Sequence, residues 1–198
     1  FCHNFELVIN PQESLKISED EALEFLKSRV GKITAVCITG GEPTLQKDLK
    51  EFIIKVKNLG LKVKLDTNGT NPNLVKDLIE NKLIDFIAVD CKNSFNKYFD
   101  TVDANLFGLD KVKETINYLI NSDFNYELRT TIMDKFHDKN SIDEMGKDIK
   151  GAKRLVLQRF VMSEHVPDRS LNSINEKDAL EFKHILEKYV KNVSLRGY

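Results

Sequence analysis

The chain has 198 residues, and its 30 Lys and Arg nearly balance its 31 Asp and Glu, giving a formal charge of −1. That length suits a single domain, residues 1–198, with a substantial core. The balanced charge argues against nucleic acid as a partner, no apolar run approaches the ~20 residues of a membrane span, and three cysteines favour a reducing cytoplasm over a disulfide framework.

The first half of the chain alternates between predicted helices and strands. A capping box of Ser18 and Glu21 begins a helix with Phe25 on its apolar face. Asn71 and Pro72 begin a later helix, because Pro at the first helical position loses no hydrogen bond. The predicted strands of this half are ITAVCITGG, LKVKLDTNG and DFIAVD.

The second half continues the alternation. A second capping box, Ser141 to Glu144, begins a helix. The segment VMSEHVPDRSLNS is irregular and predicts an exposed loop. His137, His165 and His184 lack metal-ligand spacing and are interpreted as surface residues. The predicted strands here are YELRTTI, RLVLQRF and VSLRG.

This alternation of strands and helices predicts an α/β fold with parallel strands and helices packed outside them. If one more strand precedes Phe1, Cys2 lies in a strand-to-helix loop. Periodicity fits an open doubly wound sheet as well as a barrel, so the two remain alternatives at this point.

Polar residues and glycines collect at the carboxyl ends of the predicted strands, where parallel α/β folds place their active sites. Caps and turns explain some of them, such as Asn68 and Gly69, but explain Glu42 and Lys92 poorly. The candidate site residues on these strand ends are Gly40, Gly41, Glu42, Pro43, Asp66, Thr67, Asp90, Lys92 and Arg129.

Several of these segments resemble one enzyme family. FCHN resembles the end of the radical S-adenosylmethionine (SAM) signature C-x-x-x-C-x-aromatic-C, and TGGEPTLQ is similar to the GGEP motif of that superfamily. KLDTNGTNP, AVDCK, YELRTTI, LVLQRF and LRG resemble activating enzymes of anaerobic (class III) ribonucleoside-triphosphate reductase. The resemblance spans nearly the whole chain and implies a partial (β/α)6 barrel that lacks its N-terminal strand.

The resemblance also implies a [4Fe-4S] cluster. Cys2 would be its third cysteine ligand, with the other two expected three and seven residues upstream of it, before the chain begins. Thiolate ligands suit such clusters. Cys37 and Cys91 lack the spacing to replace them, so we expect Cys37 to be buried packing and Cys91 to point away from the site.

SAM binding residues follow from the same resemblance. Phe1 would lie beside the adenine, and residues 40–43 along the methionyl amino group, with Glu42 contacting SAM rather than supporting the fold. Arg129 and Lys92 would pair with the SAM carboxylate. The alternative for Arg129 is a structural ion pair with Glu127 or another acid.

A cation site is predicted between two of the strands. If Asp66 and Asp90 lie roughly 5 Å apart, they and the SAM carboxylate would repel, and the pKa of at least one carboxyl would rise. A bound Na⁺ or K⁺ beside Asp66, Thr67 and Asp90 would relieve this repulsion. The alternative is that both Asp residues only cap turns.

The implied activity is reductive cleavage of SAM followed by removal of a hydrogen atom from a glycine of anaerobic ribonucleoside-triphosphate reductase. Flavodoxin or ferredoxin would supply the electron. The alternatives are a pyruvate formate-lyase-type activator, a small-molecule radical SAM enzyme, or a barrel without a cluster that acts only as a binding module.

Overall fold

A parallel β-sheet forms the centre of the molecule. The computed structural model describes residues 17–102 and 108–198, and in these residues six strands pair in the order β1-β2-β3-β4-β5-β6, all parallel. The strands are β1 (Ala35–Ile38), β2 (Lys62–Thr67), β3 (Phe86–Asp90), β4 (Tyr126–Ile132), β5 (Leu155–Arg159) and β6 (Val193–Arg196). Phe1 and Cys2 lie outside the described residues.

One helix precedes β1, and the others lie between successive strands. The helices are α1 (Glu19–Arg29), α2 (Leu49–Asn58), α3 (Pro72–Glu80), α4 (Tyr98–Thr101), α5 (Leu109–Ile120), α6 (Lys139–Asp148) and α7 (Glu176–Leu186). Two 3₁₀ turns, Pro43–Leu45 and Phe95–Lys97, follow β1 and β3.

The strand order distinguishes between the two folds that the sequence allowed, an open doubly wound sheet and a barrel. A doubly wound sheet reverses its order at a switch point, which sends helices to both faces. Here each strand adds beside the preceding one, and right-handed crossovers of that kind place the helices on a single face. The result is an open sheet of the partial-barrel type, as predicted.

The core lies between the sheet and these helices. Leu65, Ile87 and Leu128 point from neighbouring strands into one buried cluster, and they meet Ile53 of α2 and Ile116 of α5 there. Alternate strand residues face the opposite way, because successive side chains of a strand point to opposite faces. Within residues 17–102 and 108–198, no helix covers this opposite face, which we call the open face and which carries Asp66, Asp90 and Arg129.

β1 lies at one edge of the described sheet, where the sequence predicted an unpaired strand edge. Among the described residues β1 pairs only with β2, so its other edge has no partner there. Ala35 and Cys37 of β1 are exposed. The expectation that Cys37 is buried packing is therefore wrong, because it lies on the open face of an edge strand.

Local capping was predicted with mixed success. Ser18 and Glu21 form the capping box of α1, and Asn71 caps α3 ahead of Pro72. The second box lies three residues earlier than predicted, since the side chain of Asp138 accepts from the backbone N–H of Ser141 and α6 begins at Lys139.

Two burial predictions need correction. Phe25, expected on the buried face of α1, is 56% exposed. The irregular segment after β5 is not wholly exposed, because Val166 and Leu171 are buried with Met133 and Phe160 in a second apolar cluster. Apolar anchors spaced five residues apart have no helix or strand period, so periodicity could not reveal them.

Candidate functional site

The open face of the sheet carries a connected row of ion pairs. We call its five residues the charge ladder: Lys64, Asp66, Arg129, Asp90 and Lys92. They come from β2, β3, β4 and the residues just after β3, so three neighbouring strands supply one site. With three cations and two carboxylates, the ladder has a net charge of +1.

Arg129 is the central member of the charge ladder. Its Nη1 donates to Asp66 Oδ2 at 2.6 Å, while Nη2 and Nε donate to Asp90 Oδ1 at 3.0 and 3.2 Å. Lys92 Nζ bonds the other oxygen of Asp90 at 2.7 Å, and Lys64 Nζ bonds Asp66. The planar guanidinium can hold both carboxylates at once because its donors are fixed in a fork.

The strand register corrects the predicted spacing of the two carboxylates. Asp66 lies opposite Ala88, and Asp90 lies opposite Arg129, so Asp90 is two residues further along its strand than the partner of Asp66. Such diagonal neighbours are about 7–8 Å apart rather than about 5 Å. The repulsion expected between Asp66 and Asp90 is correspondingly weaker.

The pKa of Asp90 is lowered in the structure, whereas the rise expected for one carboxyl beside the SAM carboxylate stays a prediction. Burial alone would raise the pKa of Asp90, but the charges of Lys92 and Arg129 outweigh burial and lower the pKa below its usual value. Asp90 therefore stays ionised at neutral pH without an added cation.

Glu42 binds the protein itself. Its Oε1 accepts from Thr44 N–H, Thr44 Oγ1 and Thr67 Oγ1 at 3.1, 2.6 and 2.7 Å, and its Oε2 accepts from Asn68 N–H at 2.7 Å. The carboxylate thus joins the loop after β1 to the loop after β2. Thr67, predicted to face the ligand, points to the opposite face from Asp66, and its hydroxyl donates a hydrogen bond to Glu42.

The remaining residues of the GGEP loop shape the backbone. Gly40 has φ +136°, a conformation that L side chains rarely adopt, and a Cβ placed there would meet no atom within 4 Å. Gly41 is exposed, whereas Pro43 is buried and begins the 3₁₀ turn that Glu42 caps. The loop therefore offers open space and bare backbone at the carboxyl end of β1.

The structure contains the ion pair that was the alternative for Arg129, formed with acids other than Glu127. Arg129 is ion-paired, but with Asp66 and Asp90 rather than with Glu127. Glu127 is buried on the same open face and has Arg196 of β6 within 3.4 Å. Arg129 therefore lies on the open face between Asp66 and Asp90, and its pairing with the SAM carboxylate stays a prediction.

The two described cysteines occupy opposite environments. Cys91 is fully buried and points away from the charge ladder, as predicted, and burial raises its pKa to about 12. Cys37 is exposed on the open face, with its Sγ 3.9 Å from Lys64 Nζ. Cys2, the predicted cluster ligand, and Phe1 lie outside the described residues.

Sequence reasoning missed two residues of this region. Lys64 precedes Asp66 by two positions, and that period-2 spacing could have placed both on one strand face. His137, interpreted as a surface residue, is only 3% exposed. Its ring contacts Met133 nearby in the chain and the carbonyl of Lys92, 45 positions away, and no local pattern signals the second contact.

Two further expectations can be compared with the described residues. In residues 17–102 and 108–198, no group of three or more His, Cys, Asp or Glu side chains is placed to hold a metal ion. Across the same ranges no helix has both the length and the apolar character that crossing a membrane requires.

The amino-acid sequence matches a known family and two related proteins. Residues 1–149 match the radical SAM superfamily. Two proteins of Methanocaldococcus jannaschii, each named as a candidate glycyl-radical enzyme activating enzyme, are 32% and 30% identical to the chain. These alignments cover 99% and 93% of this chain and 82% and 72% of the relatives.

A solved structure shares the fold. The crystal structure of Streptococcus suis SuiB bound to S-adenosylmethionine superposes with a TM-score of 0.71 at 14% identity. The superposition covers 98% of this chain and 47% of that one. At this identity the likeness concerns the arrangement of strands and helices alone.

Proposed function

The chain belongs to the radical SAM superfamily, and from that premise we propose that it activates a glycyl-radical enzyme, with anaerobic ribonucleoside-triphosphate reductase as its target. The family's cofactors are a [4Fe-4S] cluster and SAM, which together supply a 5'-deoxyadenosyl radical when bound. The residues of this chain bind and orient SAM and the target glycine.

The observation that carries the proposal is the charge ladder at the carboxyl end of the sheet. Its net charge of +1 fits a ligand that brings a carboxylate, as the methionyl part of SAM does. Lys92 and Arg129 are the cations that would meet this carboxylate. They are preorganised by Asp90, so little ordering is needed on binding.

The GGEP loop would hold the methionyl amino group. The open space beside Gly40 lets a ligand approach the backbone closely, and the carbonyl oxygens of residues 40–43 are suitable acceptors for an ammonium group. Glu42 contributes by fixing this loop against Asn68. On the resemblance alone, Cys2 would bind the cluster and Phe1 would contact the adenine.

We also propose a Na⁺ or K⁺ ion beside Asp66, Thr67 and Asp90, although the repulsion between carboxylates that it would relieve is weaker than the sequence implied. Both carboxylates already have cationic partners, and the Thr67 hydroxyl bonds Glu42. The unshared lone pairs of the two carboxylates would be the ligands for such an ion.

The glycyl-radical partner is supported by the names of the two archaeal relatives and by the motif resemblance to reductase activators. A flavodoxin or ferredoxin would deliver the electron. We place the enzyme in the cytoplasm, where a reducing environment keeps its thiols available for the cluster.

The test is anaerobic reconstitution of the full-length gene product with iron and sulfide. The expected results are SAM-dependent release of 5'-deoxyadenosine and methionine, and a glycyl-radical signal by electron paramagnetic resonance when the reductase is added. Cys2→Ala should abolish both, while Cys37→Ala should change neither. SAM cleavage without a signal on any glycyl-radical enzyme would favour a small-molecule substrate, and no cleavage would favour a binding module.

A further inference from the structure

The buried ring of His137 connects two strand-end loops. Nδ1 accepts from the backbone N–H of Met133 at 3.2 Å, and Nε2 lies 3.0 Å from the carbonyl oxygen of Lys92. A carbonyl can only accept, so Nε2–H donates to Lys92, and in the neutral ring Nδ1 is the acceptor for Met133 N–H, although Nδ1 also lies 3.3 Å from the Met133 carbonyl oxygen. His137 therefore ties Lys92, two residues after the end of β3, to the loop after β4.

This tie is one of several on consecutive residues. Each residue from 92 to 95 bonds to the segment that begins after β4, which spans positions 136–148. Besides the His137 bond, these are Asn93 Nδ2 to Phe136 O at 3.0 Å, Ser94 Oγ to Glu144 Oε2 at 3.2 Å, and Phe95 N–H to Asp148 Oδ2 at 2.6 Å. The path of the chain after β3 is thus set by the loop after β4 and by α6.

The tie at Lys92 differs from the others because Lys92 is a member of the charge ladder. A Lys side chain is long and flexible, so the position of its backbone limits where its ammonium group can reach. Lys92 Nζ lies 2.7 Å from Asp90 Oδ2, at the end of the ladder opposite Lys64. A shift of the Lys92 carbonyl would move the point from which this ammonium extends.

We propose that His137 is a positioning residue, which holds the main chain of Lys92 through Nε2–H so that the Lys92 ammonium is placed for an anionic ligand. The inference rests on the proposed function for the identity of that ligand, the carboxylate of SAM. His137 contacts no ligand itself.

Two substitutions separate this role from simple core packing. His137→Gln places an amide nitrogen near the position of Nε2 and keeps the bond to Lys92, whereas His137→Asn reaches only the position of Nδ1 and keeps the bond to Met133. Each variant is polar, each loses one ring bond, and each leaves one backbone group without its partner, so comparable losses of stability are expected.

The first measurement is the SAM dissociation constant of the full-length, reconstituted protein. His137→Gln should stay within about twofold of the wild type, while His137→Asn should weaken binding roughly threefold to tenfold, as expected for one net hydrogen bond. Equal affinities for the two variants, or affinities that follow their melting temperatures, would overturn the proposal.

The second measurement needs neither cluster nor SAM. Amide hydrogen exchange of residues 92–95 in the cluster-free protein should be faster in His137→Asn than in His137→Gln. If the wild type fails to bind SAM, the proposed function fails, and the exchange result still decides whether His137 holds this segment. Equal exchange in both variants would show that it does not.

Discussion

Glu42 allows a sharp test of what the GGEP loop does. Glu42→Gln changes one carboxylate oxygen into an amide nitrogen with almost no change in volume. The carboxylate accepts from two backbone N–H groups, those of Thr44 and Asn68, and from two hydroxyls. An amide retains one acceptor oxygen, and the bonds to Thr44 N–H and Asn68 N–H use different oxygens. Whichever way the Gln amide is turned, one backbone N–H faces a donor.

The cost can be worked out from that lost bond. A hydrogen bond to a charged group contributes about 1.5–3 kcal/mol. We therefore expect Glu42→Gln to lower the free energy of unfolding by about 2 kcal/mol, which for a chain of this size corresponds to about 4–8 °C in melting temperature. The sequence alone predicted weaker SAM binding with folding unaffected.

The assay is urea unfolding of the cluster-free protein, followed by circular dichroism. Glu51→Gln on α2 is the matched control, because Glu51 is exposed and its change should fall within about 0.5 kcal/mol of the wild type. If Glu42→Gln proved as stable as Glu51→Gln while SAM affinity fell, the carboxylate would point at the ligand and the account of the loop would be wrong.

Three further predictions concern the rest of the fold. Gly146→Ala should lower the free energy of unfolding in urea by about 1–2 kcal/mol, because its Cβ would lie 2.9 Å from Cε2 of the Tyr189 ring. Since Ala favours a helix over Gly, the same change should stabilise the protein in a Tyr189→Ala background. Iodoacetamide at pH 8 should modify Cys37 in the native protein and Cys91 only after unfolding, since burial raises the pKa of Cys91 to about 12. Equal rates of modification of Cys37 and Cys91 in the native protein, measured by peptide mapping, would contradict this. Burial lowers the pKa of His137 below 6.5, so the unfolded state takes up the proton first, and stability should decline as the pH falls from 6.5 toward the folded pKa. His137→Gln should lack that decline, and an unchanged pH profile would refute the assignment.

Much of the fold could be predicted from local patterns. The apolar runs of AVCIT, KVKL and FIAV coincide with β1, β2 and β3, and Asn71 with Pro72 marks the start of α3. These signals are local because strand and helix periods, caps and proline restrictions act within a few residues. Asp66 and Asp90 were placed at one edge of the sheet for a topological reason, since parallel strands end together.

Tertiary structure decided how those residues are used. Arg129 meets Asp66 and Asp90 across 63 and 39 positions of the chain, and Glu42 meets Asn68 across 26. Such pairs depend on strand register and on the path of each crossover, which no short window of sequence contains. Burial follows the same rule: Cys37 is exposed because β1 is an edge among the described strands, and His137 is buried because the loops after β3 and β4 close over it. The sequence alone therefore determined which residues stand at the strand ends. The packing of strands and loops decided which of them are left to face a ligand, because a side chain's partners are set by its neighbours in space.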